Sequence, residues 1–147
     1  MFEQWQYTIP ANTTEANLVR RELAVSKGVL KRLEVLFPFG CEFYAKCRVF
    51  IGSKPILPRS SKGYAIGNGF PLGTGDIFES MLEDLPVLIW ELWNEDATYT
   101  HTLTLSASWI SEQEKEALKM ELEKQTAYLK DIADALGGKP IQLSELT

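Results

Sequence analysis

Residues 86–107 read Pro-Val-Leu-Ile-Trp-Glu-Leu-Trp-Asn-Glu-Asp-Ala-Thr-Tyr-Thr-His-Thr-Leu-Thr-Leu-Ser-Ala, and the reading of this stretch decides the fold. From Tyr99 the chain alternates: Tyr99, His101, Leu103, Leu105 and Ala107 fall on one side, Thr100, Thr102, Thr104 and Ser106 on the other. Only a period-two backbone sorts residues in this way, so this is a strand with one buried and one wet face. The run before it sets Leu88, Trp90 and Leu92 against Val87, Ile89, Glu91 and Trp93. It is apolar on both faces, as expected of a strand lying centrally in a sheet. Asn94-Glu95-Asp96 interrupts the two runs with residues that favour turns. The expectation is a hairpin in which Leu88, Trp90, Leu92, Leu103 and Leu105 share one side and form core.

Outward from this stretch, the same alternation recurs. Trp5-Gln6-Tyr7-Thr8-Ile9 is a short strand that Pro10 ends or confines to an edge, and Asn12-Thr13-Thr14 reads as a turn. Residues 18–25 form a strand with Val19, Leu23 and Val25 inward, and residues 29–37 another with Val29, Leu33, Val35 and Phe37 inward. Phe43, Ala45, Cys47, Val49 and Ile51 alternate with Tyr44, Lys46, Arg48 and Phe50, which gives one apolar and one basic and aromatic face. Residues 52–85 carry Pro55, Pro58 and Pro71 and six glycines, a loop-rich third expected at one end of a sandwich, with short strands at 56–57, 64–66 and 77–81. Seven or eight short strands with Gly/Pro turns predict a mainly β fold, an antiparallel β-sandwich or jelly roll over residues 1–109.

One helix follows. Ser111 with Glu114 three residues on makes a capping box, and Gly137-Gly138 and Pro140 end the helix, so it is expected over residues 111–136 at ~1.5 Å per residue, ~39 Å long. Leu118, Leu122, Leu129, Ile132 and Leu136 fall on a heptad seam, with Gln125 at its interrupted position. This stripe either packs on its own sandwich or meets copies of itself in a coiled coil. In the second case Gln125 fixes register, and Ile141 and Leu143 in the extended tail, residues 138–147, dock on a neighbouring sheet edge.

Composition narrows the function classes. A chain of 147 residues with 45% hydrophobic and 11% aromatic content suits one packed domain that needs neither metal nor disulfide. A net charge of -5 with 15 basic residues argues against a nucleic-acid partner. No apolar run approaches 18 residues and no charged-then-apolar segment opens the chain, so neither a membrane span nor a signal peptide is expected, and synthesis is assigned to the cytosol. Cys41 and Cys47, six residues apart on one expected strand, would lie ~20 Å apart and read as small buried hydrophobes.

Chemistry-bearing patterns are sparse. His101, the only histidine, with Glu95 or Asp96 makes a weak pair, and neither a metal set nor a nucleophile in an activating context is marked, so no catalytic residue, metal or cofactor is assigned. Gly67-Asn68-Gly69-Phe70-Pro71-Leu72-Gly73 lacks the spacing and the Lys-Ser/Thr of a phosphate loop. Lys46 and Arg48 either bind an anion or form a solvated face, and Glu91 between Ile89 and Trp93 needs a basic or hydrogen-bonding partner, for which Arg32 and Arg48 are the first candidates. Tyr64, Phe70 and Trp93 among the loops offer flat aromatic surface to a glycan or other ligand.

The succession Ile9-Pro10-Ala11-Asn12-Thr13, Phe37-Pro38-x-Gly40-Cys41, Arg48-Val49-x-Ile51, Gly63-Tyr64-x-x-Gly67 and Trp93-Asn94-Glu95-Asp96-x-x-Tyr99-x-His101-Thr102-Leu103 resembles the small single jelly-roll proteins of viral particles over residues 5–107. The resemblance implies a non-catalytic, self-assembling building block of a virion, of capsid, decoration or spike type, whose partners are copies of itself and other particle proteins. The expected alternative is a carbohydrate- or ligand-binding β-sandwich module using the aromatic and glycine loops.

Overall fold

The computed structural model describes residues 1–60 and 62–137. In chain order the strands are β1 (Phe2–Ile9), β2 (Val19–Ala24), β3 (Gly28–Leu36), β4 (Ala45–Ile51), β5 (Lys54–Leu57), β6 (Ala65–Ile66), β7 (Pro71–Gly73), β8 (Glu79–Met81), β9 (Val87–Asn94) and β10 (His101–Ser111), followed by the helix α1 (Glu112–Ala135). The chain divides into two units, Met1–Glu112 with all the strands and Gln113–Thr147 with nearly all of the helix. The expected tail with Ile141 and Leu143 lies outside the described residues.

Among the described residues, ten strands make two antiparallel sheets. The first runs β1-β10-β3 with β7 and β8 both on the far side of β3; the second runs β2-β9-β4 with β5 and β6 both on the far side of β4. The pairings nest: β1 with β10, β2 with β9, β3 with β7 and β8, β4 with β5 and β6. All of them are centred within a few residues of the two-residue turn Gly52-Ser53, where Gly52 takes φ 57°, the left-handed backbone that a tight hairpin asks of its first turn residue. The strand-forming unit is therefore one long hairpin, rolled until β10 also reaches β3 and β9 also reaches β4. That is the strand order of a jelly roll, a mainly β antiparallel sandwich, with the helix following it in sequence.

A single core fills the space between the sheets. Leu30, Leu33, Val35, Leu103, Leu105 and Ala107 come from the first sheet, and Leu23, Cys47, Val49, Leu88, Trp90 and Leu92 from the second. The core residues of residues 86–107 are thus as expected, but their relation is not. β9 and β10 lie in different sheets, so this stretch is an arch over the core and not a hairpin, and Leu88, Trp90 and Leu92 enter the core from the sheet opposite Leu103 and Leu105. The connection, residues 95–100, is longer than a tight hairpin turn and is tied to residues before β2: Asn12 N–H donates to Asp96 O (2.7 Å), and Thr13 and Asn94 exchange backbone hydrogen bonds (2.8 Å each way).

Three further expectations are corrected by local geometry. In β3 the register slips against β10 between Ser108 and Trp109, which leaves Lys31 as an extra residue. This β-bulge shifts the phase, so Gly28 and Leu30 are buried while Val29 is only half-buried. Cys41 is not on a strand with Cys47; it sits in the turn before β4, where its N–H donates to Pro38 O and its carbonyl accepts from Tyr44 N–H. Both thiols are buried and free. Residues 52–85 carry β5, β6 and β8 near the short strands expected at 56–57, 64–66 and 77–81, and β7 is an additional strand that only its pairing to β3 creates; β5 to β8 complete the outer side of both sheets.

The helix begins at Glu112, directly after Ser111, and ends where Leu136 N–H donates to Ile132 O and Gly137 N–H to Asp134 O. Gly137 at φ 85° supplies the left-handed cap that stops it.

Candidate functional site

Two of the three expected ligand residues meet on the outer face of the second sheet. Trp93 on β9 faces Lys46 across the ladder, and the Tyr64 ring stands edge-on to it with centroids 5.6 Å apart and planes at 76°. The Arg48 guanidinium lies 5.3 Å from the Trp93 ring and the Lys46 ammonium 4.8 Å from that of Tyr64. Cations over aromatic faces are attracted by the ring quadrupole, and here Arg48 covers the indole and Lys46 the Tyr64 ring. Trp93 is fully buried although it is outward-facing, and belongs to a cluster separate from the main core. It is therefore not a loop platform for a ligand. Tyr64 and Phe70 remain exposed, but Phe70 makes no ring contact with either partner.

The basic residues of this face are already matched. Arg48 Nε donates to Glu91 Oε2 at 2.7 Å and its Nη1 lies 3.5 Å from Glu15 Oε1; Lys46 Nζ donates to Glu95 Oε2 at 2.7 Å. Burial works against the Lys46 charge, and Glu95, with Tyr64, outweighs it, so the Lys46 pKa is held above its ordinary value. Of the two candidate partners for Glu91, Arg48 is the one in place; Arg32 instead pairs with Asp76 at 3.0 Å. With carboxylates on Lys46 and Arg48, the face is an internally neutralised lattice and not an anion site.

The arch between β9 and β10 holds the only histidine. His101 Nε2 lies 2.9 Å from Asp96 Oδ2, and Asp96 Oδ1 accepts from Thr98 N–H (2.9 Å) and Tyr99 N–H (3.2 Å). Asn94 Oδ1 accepts from Asp96 N–H, while its Nδ2 donates to Tyr99 O. His101 is 8% exposed, and its neighbours are turn groups that the pair holds in place. Burial, and then the Asp96 charge, raise the Cys41 thiol to about 11; burial raises Cys47 to about 12 against the opposing Trp90 indole. Neither thiol forms the thiolate at neutral pH that nucleophilic chemistry needs. Among the described residues no group of three His, Cys, Asp or Glu side chains is placed to hold a metal ion.

The Asp96 carboxyl is held below the ordinary carboxylate range, first by the Thr98 N–H and then by His101. A group depressed on folding contributes stability that is full above its unfolded pKa of ~3.9 and is lost as pH falls through the folded value. Asp96→Asn is expected to flatten the acid limb of a denaturant-midpoint against pH curve below ~pH 4. An unchanged acid limb would remove Asp96 as its source.

Sequence reasoning missed a cleft of about 240 Å³ on the outer face of the first sheet, lined by Phe2, Gln4, Arg32, Glu34, Ser106 and Ser108. Alternation marked the β10 residues only as a wet face, because the lining comes from three strands far apart in the chain. No family model matches this chain, and neither a curated protein nor a solved structure does.

Proposed function

We propose that this protein is a non-catalytic, self-assembling structural protein, a virion component of capsid, decoration or spike type, whose helix joins copies of the chain. The observation that supports this reading is the seam. Leu118, Leu122, Leu129 and Leu136 are 57–65% exposed on a helix that buries none of its residues, and Gln125 is exposed between them. Ile132 is half-buried. An apolar stripe at alternating spacings of four and three residues is the pattern by which helices recognise one another, since each residue fits a hole on a facing helix. With Leu122, Leu129 and Leu136 in one set of seam positions and Leu118, Gln125 and Ile132 in the other, the stripe lacks the β-branched/leucine alternation of two-stranded coils and suits a bundle of three or more. The jelly-roll order of the sandwich is compatible with the building-block role but does not assign it.

The pair Leu122→Glu and Leu129→Glu tests the reading on the full chain. Buried unpaired carboxylates in the seam should weaken association by about 100-fold or more, and light scattering should fall to the mass of one chain while the sheet signal in circular dichroism is kept. A native protein that is already a single chain, or a variant of unchanged mass, would remove the helix as the assembly element.

A further inference from the structure

The cleft on the first sheet has a construction that the assembly role does not use. Its floor is two rows of residues facing each other across three strands: Phe2, Ser108 and Arg32 in one, Gln4, Ser106 and Glu34 in the next. A second cleft of about 340 Å³ shares Phe2, Ser108 and Arg32 with the first and adds Lys31 and Asp76. Lys31 reaches it because of the bulge in β3, which turns two successive residues, Lys31 and Arg32, toward solvent where a regular strand would turn one inward. Asp76 arrives from the β7–β8 connection and is held by Arg32 at 3.0 Å.

The groups left over decide the ligand. The Gln4 amide nitrogen donates to Ser106 Oγ at 3.1 Å, which orients the amide and leaves its carbonyl oxygen as an acceptor. Half-buried Glu34 makes no hydrogen bond or ion pair among the described residues, and neither does the Ser108 hydroxyl. Arg32 spends one terminal nitrogen on Asp76 and keeps further N–H donors. Acceptors, donors and hydroxyls therefore alternate over a small area, beside a Phe2 ring that is 63% exposed. A phenyl face carries negative charge density and attracts polarised C–H groups stacked on it. The charges balance, Lys31 and Arg32 against Glu34 and Asp76, so the cleft has no net attraction for an anion. Of the three floor strands, β10 and β3 are paired on both sides, and the free edge of β1 is on its side away from β10, so an extended peptide lying over these rows would find no free backbone edge.

We infer that this cleft binds a neutral saccharide, with Phe2 stacking on the C–H face of one sugar ring, Glu34 and the Gln4 carbonyl accepting from vicinal hydroxyls, and Arg32 donating to a ring or hydroxyl oxygen. The site shares no residue with the Tyr64 and Phe70 surface or with the helix seam. One open cleft binds weakly, and joining several copies converts such contacts into avidity.

The test uses the full chain on an array of neutral and sialylated oligosaccharides, followed by NMR titration with the strongest neutral binder. Expected are binding to neutral glycans, shift changes centred on Phe2, Ser106 and Ser108, and a loss of about tenfold or more in affinity for Phe2→Ala and, separately, Glu34→Gln. Both side chains lie at the surface, so thermal melts should be unchanged; Tyr64→Ala should bind as the parent does. Binding to no neutral glycan, binding confined to sialylated ones, or loss with Tyr64→Ala but not with Phe2→Ala would each overturn the inference.

Discussion

Trp90→Ala is expected to destabilise the sandwich by about 3–5 kcal/mol, read as a fall in denaturant midpoint at unchanged slope. Trp90 is fully buried in the core between the sheets, on a central strand flanked by β2 and β4. Its indole N–H has no hydrogen-bond partner among the described residues. The expected loss is therefore apolar burial and cavity, not a hydrogen bond, and Trp90→Phe should retain most of the stability. Thr102, exposed on the outer face of β10, contributes its hydroxyl to a 2.8 Å contact with Thr8, and Thr102→Ala should cost about 0.5–1.5 kcal/mol. Equal effects for Trp90→Ala and Thr102→Ala would refute the assignment of faces.

Gly28→Ala is expected to cost as much as a core truncation through a different cause. A Cβ built on Gly28 would stand 2.0 Å from Ile110 O, 2.9 Å from Ile110 C and 2.9 Å from Ser111 Cα, all backbone atoms that cannot rotate away. Gly28 lies between Ser111 on β10 and Met81 on β8, so relief requires the sheet itself to open where β10 ends. Overpacking of this kind costs about 1–3 kcal/mol or more, and the rigid neighbours put Gly28→Ala at the top of that range. Amide hydrogen exchange should accelerate first at residues 28–30 and 109–111. Exchange that rises evenly over both sheets, or a melt equal to that of the parent, would contradict it.

How far the fold was legible depends on the range of the physics behind each element. The faces of β4 and β10 follow from strict alternation, a property of a few consecutive residues, and they stand as expected within the strands, as do the helix and the pairing of Glu91 with one of its two candidates, Arg48; Phe43 and Tyr99, expected at the head of the two apolar faces, instead lie before the strands and are exposed. The relation of β9 to β10 was not legible, because two central strands with buried faces satisfy a hairpin and an arch equally well; only the nested partners β2 and β1 decide between them. The bulge at Lys31 leaves no mark in the alternation of residues 29–37, since it is set by the register with β10. Pro71–Gly73 has no strand pattern at all and becomes β7 through hydrogen bonding to β3. The candidate sites divide in the same way. Tyr64 and Trp93 were visible as aromatics near turns, but the placing of Arg48 and Tyr64 against the Trp93 ring is tertiary. The Phe2 cleft needed residues 2–4, 32–34 and 106–108 side by side, a neighbourhood no local pattern contains.

The nested pairing fixes an order of events on the ribosome. At about 5–20 residues per second, β4 and β5 meet across Gly52-Ser53 as soon as both have emerged, while Met1 waits for Trp109, 108 residues later, or some 5–20 s. Through that interval the Trp5 and Tyr7 side of β1 has no sheet to lie on. β1 is made before the other strands of this sandwich and is closed in after them, and its closure completes the Phe2 rows only when the chain has reached the helix.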